Sequence, residues 1–271
     1  MYSSAARTNL TSDRANVHRQ IIGEGQFRLA YAGTYIGGNR NQQECVCKIF
    51  KDHYSALETE FYATDFQVAA KAIQFAEDWN RWCDNGKEIL ITHGSLHNMG
   101  GKKYLVEPLI RYFRKYTSNN GWIADEDDVG WGVLAMEAFS HFTYHRSGGQ
   151  MIVCDLQGRY RFDRFTGKKS RFELTDVAIC SRKRSYGITE LGEKGIESFF
   201  YHHSCNQFCH SNGERWSRPR TTNRWFEANS GTSMLRLTAT NLLDTRNRAR
   251  FTATLQPIYM NDDDDSSEDS W

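Results

Sequence analysis

The stretch from residue 151 to residue 209 constrains this chain most. It opens on four apolar residues, Met151-Ile152-Val153-Cys154, followed at once by Asp155-Leu156-Gln157-Gly158. A short apolar run closed by polar residues and a glycine reads as a buried strand. In an extended chain, residues two apart point the same way. Asp155 and Gln157 are therefore expected to address one space at the strand's C-terminal end. The stretch closes on a helix predicted from Gly192, expected to carry His203, Cys205 and Cys209, with the two cysteines one turn apart on a shared face.

Both ends of the stretch carry chemistry. A carboxylate at a strand end can orient or deprotonate a hydroxyl. An amide oxygen is a hard donor suited to Mg²⁺, which takes one or two protein oxygens beside phosphates and water. Asp176, in Leu174-Thr175-Asp176, supplies a further carboxylate. The plain alternative is a capped strand end. Structural zinc wants four Cys or His ligands, so His203, Cys205 and Cys209 are one short. Cys180, after Val177-Ala178-Ile179, is the best fourth candidate, with His202 and His210 as alternatives; the plain alternative is a pair of buried thiols.

Upstream, residues 21–35 alternate like strands around Gly23 and Gly25, and 45–50 is an apolar strand broken by one lysine, Lys48. Glycines let backbone amides approach phosphates, and an ammonium supplies a point charge to hold them. An edge-strand lysine that discourages aggregation is the competing reading. Residues 55–82 read as a long helix, with Ser55 and Glu58 as a capping box and Phe66, Ala69, Ala70 and Ile73 as its apolar stripe. Residues 89–93 and 103–108 read as strands joined by the Gly100-Gly101 turn, with His93 and His97 at the surface. Glu107 stands before Pro108, at a junction between lobes. A polar aromatic loop fills 112–120. Asp125 to Asp128 then start a helix, where negative charge suits the macrodipole, and His141 within it reads as a hydrogen-bonded histidine of the core or surface.

A chain of 271 residues can form one large domain or two lobes around a cleft. Its 39% hydrophobic and 25% charged residues are ordinary for a soluble globular protein. Six acids fall in the last ten residues, so the remainder is mildly basic, which suits a phosphate-bearing ligand without pointing to nucleic acid. No apolar run approaches membrane-spanning length, about 18 residues. The seven cysteines, odd in number and preceded by no apolar leader, fit a reduced compartment. These features predict a soluble cytoplasmic protein with no membrane partner.

Together the segments resemble the alpha-kinase family of atypical protein kinases. The matching pieces, in family order over about residues 20–210, are Gly25-Gln26-Phe27-Arg28, Val46-Cys47-Lys48, Val106-Glu107-Pro108, Lys115-Tyr116 with Asn119 and Gly121, Ala138-Phe139-Ser140-His141, Asp155-Leu156-Gln157-Gly158, Thr175-Asp176, Leu191-Gly192, and Phe199-Phe200 through Cys209. The resemblance implies an α+β, two-lobed protein-kinase-like fold of alpha-kinase type, with ATP in the cleft and a zinc site in the C-terminal lobe. It implies a catalytic domain at 20–213 (lobes about 20–108 and 109–213); the polar, aperiodic composition of 1–19 reads as a flexible arm, and past the resemblance lie an extension at 214–260 and an acidic tail at 261–271 expected to be disordered. Lys48 is similar to the lysine that contacts ATP phosphates, with Arg28 and Gly25 in the glycine hairpin assisting, and Glu107 to the hinge acid near adenine. Asp155 matches the catalytic aspartate, Gln157 and Asp176 the Mg²⁺ ligands, and His203, Cys205 and Cys209 three zinc ligands. The implied partner is a protein substrate with a Thr or Ser acceptor.

Several positions depart from the family pattern. Cys180 is placed where the first zinc ligand is usually His, Val177 follows Thr175-Asp176 where the family has Pro, and a basic insertion spans 159–171. Glu190-Leu191-Gly192 replaces Asn-Leu-Gly in a loop associated with peptide substrate. An active serine/threonine kinase is the leading reading. A zinc-braced pseudokinase acting as a binding module and a small-molecule phosphotransferase are its competitors.

Overall fold

A computed structural model describes residues 14–25, 27–82, 88–125, 131–162, 170–211, 213–235 and 257–258. In chain order the strands are β1 (Arg14–Glu24), β2 (Arg28–Ile36), β3 (Glu44–Phe50), β4 (Glu88–Ile91), β5 (Ser95–Met99), β6 (Lys102–Pro108), β7 (Arg114–Lys115), β8 (Met151–Cys154), β9 (Gln157–Arg161), β10 (Arg171–Thr175) and β11 (Ala178–Ser181). The helices are α1 (Glu58–Trp82), α2 (Trp131–Arg146) and α3 (Gly192–His202). No helix among the described residues is long and apolar enough to cross a membrane.

The first sheet runs β1-β2-β3-β6-β5, antiparallel throughout. Its first strand begins at Arg14, inside the stretch expected to be a flexible arm. Ala15 and Val17 alternate with exposed Arg14 and Asn16 and pack on a cluster of Tyr35, Cys45, Cys47 and Val106. Two half-buried residues at period two thus hold an otherwise polar segment. The same alternation in β3 turns Cys45 and Cys47 into that cluster and Lys48 to the opposite face.

The Gly100-Gly101 turn, with φ of 58° and 76°, closes a hairpin between β5 and β6, not between β4 and β6 as predicted. β4 instead leaves the first sheet and pairs parallel to β10, with Ile89 opposite Phe172. The second sheet runs β4-β10-β9-β7, beside a ribbon of β8 and β11. Alternation marks β5 weakly because its inward residues are polar: Ser95 Oγ and His97 Nε2 lie 2.7 Å apart, and both residues are buried. His97 is therefore interior, against the surface position expected of it.

α1 ties the lobes together. A 3-10 turn, Asp52–Leu57, precedes it, and Ser55 Oγ donates to Asp52 O at 2.8 Å within that turn, so the expected capping box does not form. Tyr62 packs with Phe27, Phe50 and Leu105 under the first sheet, while Val68, Ala72, Phe75 and Trp79 join the larger core. Trp79, fully buried, meets Phe139, Phe142 and Trp216 edge-on, at centroid distances of 5.7, 5.5 and 6.2 Å. Trp216, Phe226 and Met234 are buried in three different clusters. The described stretch 213–235 therefore contributes to the core at three places. Parts of the predicted organisation lie outside the described residues: 1–13, most of the acidic helix start at 126–130, the tip of the basic insertion at 163–169, and the acidic tail.

Gly158 sets the path of β9. Its φ is +148°, and a Cβ there would lie 2.0 Å from Glu173 O on β10. Only glycine lets the two backbones approach so closely. Gly158→Ala should cost about 2–3 kcal/mol, read as a lower urea midpoint with an unchanged m-value.

Candidate active cleft and metal centre

Lys48 sits where the two sheets face each other. Its strand carries it beside β6, with Lys48 opposite Leu105 and Val46 opposite Glu107. Its Nζ lies 2.8 Å from Glu107 Oε2 and 2.5 Å from Asp176 Oδ2. Burial opposes the ammonium, but the two carboxylates outweigh it and hold its pKa above the usual lysine value. Burial and Asp176 together raise the Glu107 pKa, against the pull of Lys48. Burial also works against the Asp176 charge, but Lys48 and Arg28 overcome it and the net shift is downward. Asp176 follows the end of β10 with φ +52° and keeps its side chain at the open side of the cleft.

Asp155 follows β8, also in the left-handed region at φ +57°. Such a conformation costs a non-glycine residue about 1–3 kcal/mol and clusters at functional sites. The strand alternation expected to align Asp155 with Gln157 is absent, because β8 and β9 belong to different sheets and Asp155-Leu156 is the crossing between them. The two nonetheless share one space. The Asp155 carboxylate is buried, with Oδ1 2.8 Å from Lys115 Nζ, and Oδ2 accepts the Thr232 hydroxyl at 2.7 Å. Burial raises its pKa more than Lys115 and Thr232 lower it. Gln157 donates its Nε2 to Asp176 O at 3.0 Å, which leaves Oε1 as the atom it can offer a cation.

A cavity of about 450 Å³ brings Gly25, Lys48, Asp155, Gln157, Asp176 and Thr232 onto one wall system, within the range of small-molecule sites. Glu107 lines it too, but its carboxylate grips Lys48 and accepts Thr175 Oγ1 at 3.3 Å. Arg28 is placed at its edge, paired with Asp65 at 2.6 Å and lying over the Phe50 ring at 4.4 Å. The altered Glu190 has a structural use. Its buried carboxylate accepts the backbone N–H groups of Ser181 and Tyr186, at 2.7 and 2.5 Å, and the Ser181 hydroxyl.

A second cluster gathers behind α3. The donor atoms of His141, His203, Cys205 and Cys209 lie within 4.8 Å of one another. His203 Nδ1 is taken by Glu137 Oε1 at 2.9 Å and His141 Nε2 by Ser217 O at 3.0 Å, so both rings turn their remaining nitrogen inward. Those nitrogens are 3.2 Å apart, with Cys205 Sγ 3.7 Å from one and Cys209 Sγ 3.5 Å from the other. Zinc bonds of about 2.0 Å to nitrogen and 2.3 Å to sulfur place tetrahedral donors about 3.3–3.8 Å apart. The chemistry and spacing of the four groups thus fit zinc, and the Glu137 and Ser217 contacts are the outer partners such ligands keep. Arg218 Nη1 lies 3.4 Å from Cys205 Sγ.

Two expectations fail here. Cys180 is not in the cluster: β11 carries it under Gly195 of α3, and its Sγ faces Cys154 Sγ at 3.8 Å. His141, read as a plain histidine, holds the fourth place. Nor do His203, Cys205 and Cys209 sit on a helix, since α3 ends at His202 and His203 is extended at φ −73° and ψ 123°. The turn after it folds Cys205 and Cys209 back toward α2.

A sequence model of the Alpha-kinase family matches residues 23–209. The chain belongs to the alpha-kinase family. Among curated alpha-kinase relatives, mouse eukaryotic elongation factor 2 kinase is 32% identical over 171 residues, covering 61% of this chain and 21% of that protein. Myosin heavy chain kinase B of Dictyostelium discoideum is 27% identical over 217 residues, covering 77% and 27%. The chain thus spans about a fifth to a quarter of these proteins' length. Among solved structures, the alpha-kinase domain of myosin heavy chain kinase A in complex with ADP superposes with a TM-score of 0.57 at 25% identity, covering 72% of this chain and 86% of that one. An inactive form of that domain complexed with ATP gives a TM-score of 0.58 at 24% identity, covering 72% and 87%.

Lys48→Met should leave the buried Glu107 without its cation and lower stability by about 3 kcal/mol at neutral pH. Without Lys48 the Glu107 pKa rises further, so the deficit should shrink as pH falls and the carboxyl protonates. Adding Glu107→Gln should recover part of it. Urea denaturation at several pH values checks each arm.

Proposed function

We propose that this alpha-kinase domain transfers the γ-phosphate of ATP to a Thr or Ser hydroxyl of a protein substrate. The observation that carries this reading is the convergence, in one cavity, of a buried carboxylate already accepting a hydroxyl proton and a lysine shared between two acids. Asp155 orients the acceptor hydroxyl and takes its proton. Lys115 fixes that carboxylate and limits how far burial raises its pKa. Lys48 pairs with ATP phosphates, Arg28 assists from the hairpin, Gly25 lets the backbone come close, and Glu107 lies toward adenine while positioning Lys48. Gln157 and Asp176 would hold Mg²⁺, which neutralises charge on the transferring phosphoryl group. His141, His203, Cys205 and Cys209 would hold zinc and brace the C-terminal lobe. Here His141 replaces the Cys180 of the sequence reading.

Asp155→Ala should reduce transfer from Mg·ATP to a Thr-containing peptide by at least about 100-fold and leave nucleotide binding in place. A folded wild type that binds ATP and labels no peptide would instead support the binding-module reading. Because Asp155 works as carboxylate and its pKa is raised, activity should fall as pH drops through that value, above the usual range near about 3.9. Lys115→Met removes a lowering charge and should shift this acid limb of kcat/KM further up.

Metal analysis of the purified chain should find one zinc per molecule. His141→Ala and Cys209→Ser should each lose it, whereas Cys180→Ala should keep it. Loss on Cys180→Ala with retention on His141→Ala would reverse the ligand assignment.

A further inference from the structure

The hairpin of β9 and β10 leads a row of arginines out of the cleft. Cross-strand pairing sets Gln157 opposite Thr175, Arg159 opposite Glu173 and Arg161 opposite Arg171. Residues two apart share a face. Gln157, Arg159 and Arg161 therefore form one row, while Tyr160, Phe172 and Leu174 turn the other way and pack in the core. The row begins at the cavity, because Gln157 lines it. Arg159 and Arg161 stand about 7 and 13 Å further along the strand. The segment to which they belong, 159–171, holds six basic residues and one acid, and it is the insertion that departs from the family pattern.

This face carries more positive charge than its own acids take up. One Glu173 oxygen accepts Arg159 Nη2 at 2.6 Å and Nε at 2.8 Å, and the other accepts Arg171 Nε and Nη2 at 3.1 and 3.0 Å. Burial works against the Glu173 charge, but the bonds from Arg159 and Arg171 outweigh it and the net shift of its pKa is downward. Both oxygens are thus engaged before Arg161, whose Nη1 lies 3.7 Å away. Glu88, a further acid, stands opposite Arg171 on β4, two strands from Arg161. The Arg161 side chain is 53% exposed, and a guanidinium fork matches a carboxylate.

We infer that this face docks the protein substrate through acidic side chains, with Asp or Glu at alternate positions beside the acceptor hydroxyl lying along Arg159 and Arg161. The inference rests on the kinase reading above and names the class of substrate that reading leaves open. The origin of the row selects a substrate over other acidic occupants. A chain that presents its hydroxyl to Asp155 and runs on past Gln157 meets Arg159 next and then Arg161. Alternate spacing follows from the strand period, with one acid for each arginine. Exposed ion pairs are worth only a few-fold each, so the face sorts substrates and leaves the chemistry to the cleft.

The test follows phosphate transfer from Mg·ATP by the full chain to Thr peptides of one length. One peptide is neutral, one carries two glutamates at alternate positions beside the acceptor, and one carries two lysines there, with the pair placed on each side in turn. On one side the glutamate peptide should exceed the neutral one in kcat/KM by about 10-fold, with the gain carried by KM, and the lysine peptide should fall below it. The gain should shrink as salt rises from about 50 to about 500 mM. Arg161→Gln should cut the glutamate-to-neutral ratio by about 3-fold. Glu173→Gln, which releases the arginines that Glu173 holds, should raise it. Thermal melting confirms that each variant is folded. Equal kcat/KM for the three peptides would overturn the inference and leave the kinase reading standing. A change on Arg161→Gln by one factor for all three would also overturn it, and would give the face to an occupant such as the chain's own acidic tail. Label on no peptide would remove both readings.

Discussion

The ammonium of Lys48 is the point at which the two lobes meet chemically. It is delivered by the first sheet, shares a buried carboxylate with its neighbouring strand through Glu107, and reaches across the cleft to Asp176 on the far side. Three charges brought from water into one recess cost free energy singly and hold each other in place together. What stands around them follows from that need. β3 must alternate so that Lys48 leaves the cysteine cluster, β10 must end at Thr175 so that Asp176 can turn outward, and α1 must pack on both lobes to keep the facing surfaces in register.

The residues of the cleft were largely legible in the chain because each marks a local event. Lys48 is a lone cation in an apolar strand, Asp155 ends one strand, Gln157 begins the next, and Asp176 follows a third. The partners that tune them were not legible. Lys115 and Thr232 lie 40 and 77 positions from Asp155, and Asp65 is 37 from Arg28; a polar residue in a loop carries no periodic signal of what it will face. The His/Cys cluster shows the same limit more sharply. His141 stands inside a helix whose residues are buried nearly all round, so pattern alone cannot separate a ligand from a packed histidine. Cys180 had the right chemistry beside an apolar run, but the antiparallel register of β11 with β8 turns it toward Cys154.

The fold was misread where polar residues face inward or apolar ones are sparse. β5 buries Ser95 and His97 as a bonded pair, so its inner face looks like an outer one. β1 rests on Ala15 and Val17 in a run of arginine, asparagine and histidine. In both cases backbone pairing with a well-patterned neighbour decides the structure, and a strand's own composition is the weaker influence.

Trp216 stands seven residues past the end of the family match, yet it lies against Trp79, Phe142 and His141 at the centre of the C-terminal lobe. Phe226 and Met234 close two further clusters. The unit that is inherited and the unit that can fold alone therefore have different ends. A chain cut at the homology boundary would open three apolar surfaces at once, one of them beside His141 of the His/Cys cluster.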